Sequence, residues 1–238
     1  MNTILSSKFL TIYNELDALF RKKLNVDQNV SHTDLIWKLS KQDYLIKSNK
    51  YDLLSFARLR NAIVHNPNRE DAHPIAEPHE YIIAQYEMIR DKLLNPTRAI
   101  SLAILKENIY TTSLDEKVIE VMRTMSDKVY THVPVIQNDK FVGVFSENVV
   151  FSYLVENEIA SVDKDIQIRE FKDFLPIEKH SSEIFKFLPR DTLFSDVQEL
   201  YTKELKIKRR LGAVFITHNG KKDESILGML TAWDIAAY

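Results

Sequence analysis

Thr131-His132-Val133-Pro134-Val135-Ile136, followed by Phe141-Val142-Gly143-Val144-Phe145-Ser146, decides the fold, because the chain writes it twice. It returns as Arg209-Arg210-Leu211-Gly212-Ala213-Val214-Phe215, followed by Ile226-Leu227-Gly228-Met229-Leu230-Thr231. In each copy a short apolar strand, a polar turn and a second, glycine-bearing apolar strand lead into a helix. An internal repeat of this size fixes the architecture of the second half of the chain and separates it from an unrelated first half.

Working outward from the hairpins, Ile109 to Thr112 reads as a strand. Ser113-Leu114-Asp115-Glu116 reads as a capping box that opens a helix running through Met125. The first hairpin turns over Gln137-Asn138-Asp139-Lys140. In the second copy Ile184 to Leu188 is the strand, and Asp191 or Thr192 caps a helix carrying Val197, Leu200 and Tyr201. Ala213 to Thr217 then pairs with Ile226 to Leu230 over a turn holding Asn219-Gly220.

All four glycines lie in this second half. Their absence from the first hundred residues fits packed helices, where glycine costs about 1 kcal/mol relative to alanine. Leu5, Phe9, Ile12, Leu16, Leu19 and Phe20 recur at helical spacing through one long helix. Ser31 or Thr33 caps a second helix, with Leu35, Ile36 and Leu39 on its apolar side. A third runs from about Asp52 to Asn66, stopped by Pro67, and a fourth carries Tyr81, Ile82, Tyr86, Ile89 and Leu93 to Asn95-Pro96. The simplest arrangement is an antiparallel four-helix bundle.

The chain has 238 residues, 45% of them hydrophobic and 28% charged, enough for one or two cores. It contains no cysteine, which excludes disulfide scaffolds, thiol nucleophiles and thiolate metal sites and fits a reducing compartment. With no apolar core near Met1 and no run long enough to span a membrane, the expected location is cytoplasmic. A net charge of −2 argues against a broad nucleic-acid-binding surface while leaving room for a local basic site. His73 and His79, with Glu77 and Glu80, fit no metal-ligand spacing, and no metal is expected.

The doubled pattern, ending in Gly228-Met229-Leu230-Thr231-Ala232-Trp233-Asp234, resembles the CBS domain, named from cystathionine β-synthase. Such domains come in pairs that bind adenosine-containing ligands such as AMP, ADP, ATP or S-adenosylmethionine. The resemblance implies that Thr231 and Asp234 grip the ribose hydroxyls, with Asp234 accepting from the vicinal pair. It also implies that His132 and Arg210, with Gly212 beside the latter, face the phosphates. The first copy departs from the pattern, since Ser146-Glu147-Asn148-Val149 puts valine where the aspartate belongs. One occupied site per pair is therefore expected. The plainer readings are a helix-capping pair for Thr231 and Asp234 and a solvated charge run for Arg209-Arg210 beside Lys206 and Lys208.

In the first half, Arg60-Asn61-Ala62-Ile63-Val64-His65 resembles the motif of the HEPN family, an arginine followed by a polar residue and then histidine, carried on the third helix. Many members of that family are metal-independent ribonucleases acting as homodimers in which two motifs face each other. The resemblance implies that Arg60, Asn61 and His65 are catalytic, with single-stranded RNA as substrate. Asn61 and His65 share a helix face, and an imidazole near a helix C-terminus is suited to proton transfer beside an arginine that stabilises phosphate charge. Arg21, Lys22, Lys23 and Arg58 are further candidates for phosphate contact.

The expected fold class is thus α+β, an all-α four-helix bundle (HEPN-like) over residues 1–95, then an α/β tandem CBS-domain pair over 100–160 and 176–238. Its expected function is a homodimeric, adenine-nucleotide-sensing regulator in which the pair controls the helical domain. That domain is either a metal-independent endoribonuclease or a non-catalytic dimerisation element that docks a partner.

Overall fold

The structure, a computed structural model, describes residues 3–64, 76–204 and 209–237. It divides into two compact units, residues 1–97 and 98–238. His65, Pro67, His73, Lys206 and Lys208 lie outside the described residues.

The first unit is helical, with α1 (Thr3–Leu24), α2 (His32–Leu39), α3 (Tyr44–Ser48), α4 (Lys50–Val64) and α5 (Glu80–Leu94). The apolar stripe read from the sequence is its core: Phe9, Ile12, Leu16 and Phe20 of α1 are buried with Leu35, Ile36, Ile83, Tyr86 and Ile89. Ser31 caps α2 by accepting from the amide of Asp34, and Asn95 ends α5. The expected four helices are five among the described residues. The extra turn, α3, exists because the Asp43 side chain accepts from the amide of Ile46.

The second unit holds β1 (Ile104–Leu105), α6 (Val118–Lys128), β2 (His132–Gln137), β3 (Lys140–Ser146), α7 (Glu147–Glu156), β4 (Glu183–Pro189), α8 (Phe194–Glu204), β5 (Arg210–Thr217), β6 (Gly228–Leu230) and α9 (Ala232–Ala236). β2 and β3 form the expected hairpin, turning at Asn138 and Asp139, both with positive φ, as a two-residue turn requires. The second sheet has the order β1-β6-β5-β4, with β4 and β5 parallel and the other pairs antiparallel. Val144, Phe185, Ala213, Phe215, Ile226 and Met229 form a shared core between the two copies.

Three local expectations are corrected, each by a tertiary contact. The strand expected at 109–112 shrinks to one parallel bridge between Thr112 and Val135, closed by hydrogen bonds of 3.0 and 2.8 Å. The helix expected at Ser113 starts at Val118, because Lys117 pairs with Gln167 and Val118 donates to the carbonyl of Ile166. Only half of the capping box forms, the Glu116 carboxylate accepting from the amide of Ser113. Likewise α8 starts at Phe194 rather than directly after Asp191 or Thr192, because Leu193 pairs with Arg98. The segment before each helix is spent on pairing with a connecting segment.

Gly143 shows how tightly the connector between the copies packs. A Cβ there would sit 2.0 Å from the carbonyl oxygen of Leu175, which accepts from the amide of Val144. Both partners are backbone, so neither can swing aside. Gly143→Ala is expected to destabilise the second unit by about 1–3 kcal/mol or more, read as a fall in midpoint in urea denaturation.

Candidate functional site

Two adjoining pockets open between the copies of the repeat. One, of about 260 Å³, is lined by Asn108, Tyr110, Lys128, Tyr130, Thr131, His132, Thr231, Trp233 and Asp234 among others. Its neighbour, of about 210 Å³, shares Thr131, His132, Thr231 and Trp233 and adds Glu147, Asn148, Glu183, Arg210 and Gly212. All five residues that the sequence assigned to ligand therefore line one or both pockets.

Thr231 directly follows β6 and caps α9, and both it and Asp234 are half-buried. The Asp234 Oδ2 accepts from the Thr231 amide at 2.7 Å and from its hydroxyl at 2.8 Å. The helix-capping geometry is therefore present, and it also fixes the carboxylate at the pocket wall. Tyr110 and Tyr130 stack with ring centroids 5.9 Å apart and planes 21° from parallel, and Trp233 stands exposed on the same pocket. The chain reaches Tyr130 through Val129, whose φ of 58° is left-handed and unusual for a β-branched residue. Strain of about 1–2 kcal/mol is the cost of that turn, and it sits on the pocket wall.

At the matching place in the first copy the hydroxyl is taken up by the protein itself. Ser146 and Val149 are both buried, the Ser146 hydroxyl capping α7 by accepting from the amide of Val149. That hydroxyl in turn donates to Glu183 Oε2 at 3.1 Å. Glu183, 1% exposed, also takes His132 Nε2 at 2.9 Å and Arg210 at 3.2 Å on Oε1, and His180 Nδ1 at 3.4 Å on Oε2. Burial alone would push this carboxyl up. The hydrogen bonds from His132 and His180, with Asn148 beside them, outweigh burial and hold it well below the usual carboxylate range. Gly212 admits the arrangement, since a Cβ there would lie 2.9 Å from His132 Nε2. The basic side chains expected to face phosphate thus meet a carboxylate of the protein itself. The sequence reading missed Glu183, whose only signal was an acid directly before an apolar strand.

In the helical unit the Arg60 guanidinium donates to Asn61 Oδ1 at 3.4 Å and lies 5.4 Å from the centroid of the Tyr13 ring. The ring of His32 packs at a tilt of 34° against Tyr13, centroids 4.2 Å apart, and His32 Nδ1 is 2.7 Å from Asp17 Oδ1. Arg21, a candidate phosphate contact, is instead bound to Asp17 at 2.7 Å and to the carbonyls of Asp27 and Val30. Lys23 is paired with Asp43 at 2.6 Å. His79 caps α5, its Nδ1 accepting from the amide of Tyr81. Among the described residues no group of three or more His, Asp or Glu side chains is placed to hold a metal ion.

Burial pushes the His32 imidazole down, against the pull of Asp17. Burial pushes Asp17 up, but hydrogen bonds from Arg21 and His32 prevail and hold it low. Both depressed groups bind fewer protons folded than unfolded, so stability falls as pH drops, His32 acting first, below its ordinary value near 6.5. The protection of α1 and α2 amides against hydrogen exchange, taken relative to the intrinsic rate at each pH, is expected to fall from pH 7.5 to 5.5, and His32→Gln is expected to flatten that dependence.

Residues 100–156 match the CBS domain family. Solved structures similar to this chain include CBSX2 in complex with AMP, at 15% identity over 59% of this chain and 94% of that one, with a TM-score of 0.42. A CBS domain pair in complex with 5-methylthioadenosine and S-adenosyl-L-methionine is 16% identical over 60% and 94%, with a TM-score of 0.40. A hemolysin-like protein containing a CBS domain, from Oenococcus oeni, is 14% identical over 63% and 95%, with a TM-score of 0.41. A sequence search of curated proteins finds no match.

Proposed function

We propose that the second unit is a sensor of an adenosine-containing ligand, bound in the pocket at Thr231 and Asp234, and that it regulates the helical unit. The observation that carries this reading is the accessible pair of hydroxyl and carboxylate at the start of α9, facing a wall of aromatic rings. A half-buried carboxylate is an acceptor matched to two vicinal ribose hydroxyls, and tyrosine and tryptophan rings offer stacking surface to a purine. The CBS match to residues 100–156 and the repeat of the same pattern to the end of the chain support the same reading. Asp234→Ala is expected to weaken binding of adenosine ligands roughly 10- to 100-fold, as loss of hydrogen bonds to a charged group implies, measured by isothermal titration. Unchanged affinity in that variant would remove the ribose role.

For the helical unit the reading is a homodimeric, metal-independent endoribonuclease of HEPN type, with Arg60, Asn61 and His65 as its catalytic residues. The contact of Arg60 with Asn61, and the packing of its guanidinium over Tyr13, support it by holding the arginine in place. Regulation would act by population shift, a ligand favouring one dimer geometry by no more than its difference in affinity. The purified chain is expected to cleave single-stranded RNA in the presence of a metal chelator, and Arg60→Ala and His65→Ala each to reduce the rate by at least 100-fold. Cleavage at the wild-type rate by both variants, or none by the wild type, favours a non-catalytic element that dimerises or docks a partner.

A further inference from the structure

Resting on the reading of the cleft as an adenosine site, we infer that Glu183 makes this cleft select adenosyl ligands with an uncharged or cationic 5′ substituent over nucleotide phosphates. The basic groups around the cleft are already engaged by the protein itself. Both ring nitrogens of His132 are engaged, Nε2 on Glu183 at 2.9 Å and Nδ1 on the Thr131 hydroxyl at 2.8 Å. His180 is buried between Glu183 and the carbonyl of Leu175. Arg209 donates to the main-chain carbonyls of His180 and Glu183. Arg210, with its side chain 65% exposed, reaches back to Glu183 at 3.2 Å. Three basic side chains therefore converge on one buried carboxylate, and a fourth, Arg209, is held by the main chain beside it.

An anion brought beside such an ion pair meets a dipole rather than a lone positive charge, and the attraction falls off faster with distance. The wider lining does not restore it. Leaving the histidines aside, the described residues of the two pockets present two basic side chains, Lys128 and Arg210, against three acidic ones, Glu147, Glu183 and Asp234. A triphosphate of several negative charges gains little here. The ribose and the purine still find Asp234, Tyr110, Tyr130 and Trp233. A thioether or sulfonium at the 5′ position suits the surplus of acid.

Isothermal titration of the full chain with adenosine, S-adenosylmethionine, AMP and ATP tests this. Adenosine and S-adenosylmethionine are expected to bind at least tenfold more tightly than ATP, and equal or tighter binding of ATP or AMP overturns the inference. In E183Q, which keeps the shape and removes the charge, the affinity of ATP relative to adenosine is expected to rise at least tenfold. That variant is also expected to bind inorganic pyrophosphate, and the wild type is expected not to. A folded E183Q protein that gains no pyrophosphate binding overturns the masking role of Glu183. If no adenosine compound binds the wild type, the reading of the cleft fails, and the pyrophosphate comparison still decides what Glu183 does. Should E183Q fail to fold, the wild-type order of affinities decides alone.

Discussion

A carboxylate buried to 1% exposure must find donors, and at Glu183 they come from both copies of the repeat. Ser146 and His132 belong to the first hairpin, and His180 and Arg210 stand on either side of β4 in the second. Removing any one leaves a charge underpaired in a dry place, a cost of several kcal/mol in general. The contact therefore specifies how the copies face each other more sharply than the apolar surface between them. Val144, Phe185 and Phe215 can slide against one another, whereas four donors aimed at two oxygens cannot. The shape of the pocket at Thr231 follows, because His132 lines it and is held by Glu183.

The helical unit has its own polar tie. Asp17 joins α1 to the first residue of α2 through His32, while Arg21 closes the loop between them by reaching two carbonyls. A long helix with an apolar stripe could dock α2 at several registers. The Asp17–His32 bond admits one. The packing of His32 against Tyr13 and the guanidinium beyond it carry that register to Arg60 on α4.

Much of this was legible because it is local or periodic. The stripe from Phe9 to Phe20, the Ser31 cap, the hairpin at Asn138-Asp139 and the accessible pair at Thr231 and Asp234 all follow from neighbours in the chain. What the sequence could not show depends on partners far away. Lys117 reads as the interior of a helix until Gln167, fifty residues on, takes its main chain. Ile104-Leu105 lies at the start of the first copy, yet its strand pairs with β6 of the second. Gly228 permits this approach, since a Cβ there would lie 2.9 Å from Ala103 and Ile100. Glu183 is the hardest case. An acid before an apolar run reads as a solvated strand end, and only the convergence of two histidines and an arginine from elsewhere makes burial tolerable.

The two copies then differ in kind, and a single position accounts for the division. With aspartate in place of Val149, two carboxylates would crowd the Ser146 hydroxyl, since Glu183 already holds it at 3.1 Å. Like charges at that distance in a buried site oppose each other strongly. A buried valine beside the capped helix removes the conflict, and the first copy becomes the fixed partner. At Thr231 no second carboxylate competes for the hydroxyl among the hydrogen bonds of the described residues, so Asp234 keeps its place on the accessible wall. Symmetry of fold thus carries an asymmetry of chemistry: the Ser146 hydroxyl is held by Glu183 from the other copy, and the Thr231 hydroxyl by Asp234 of its own.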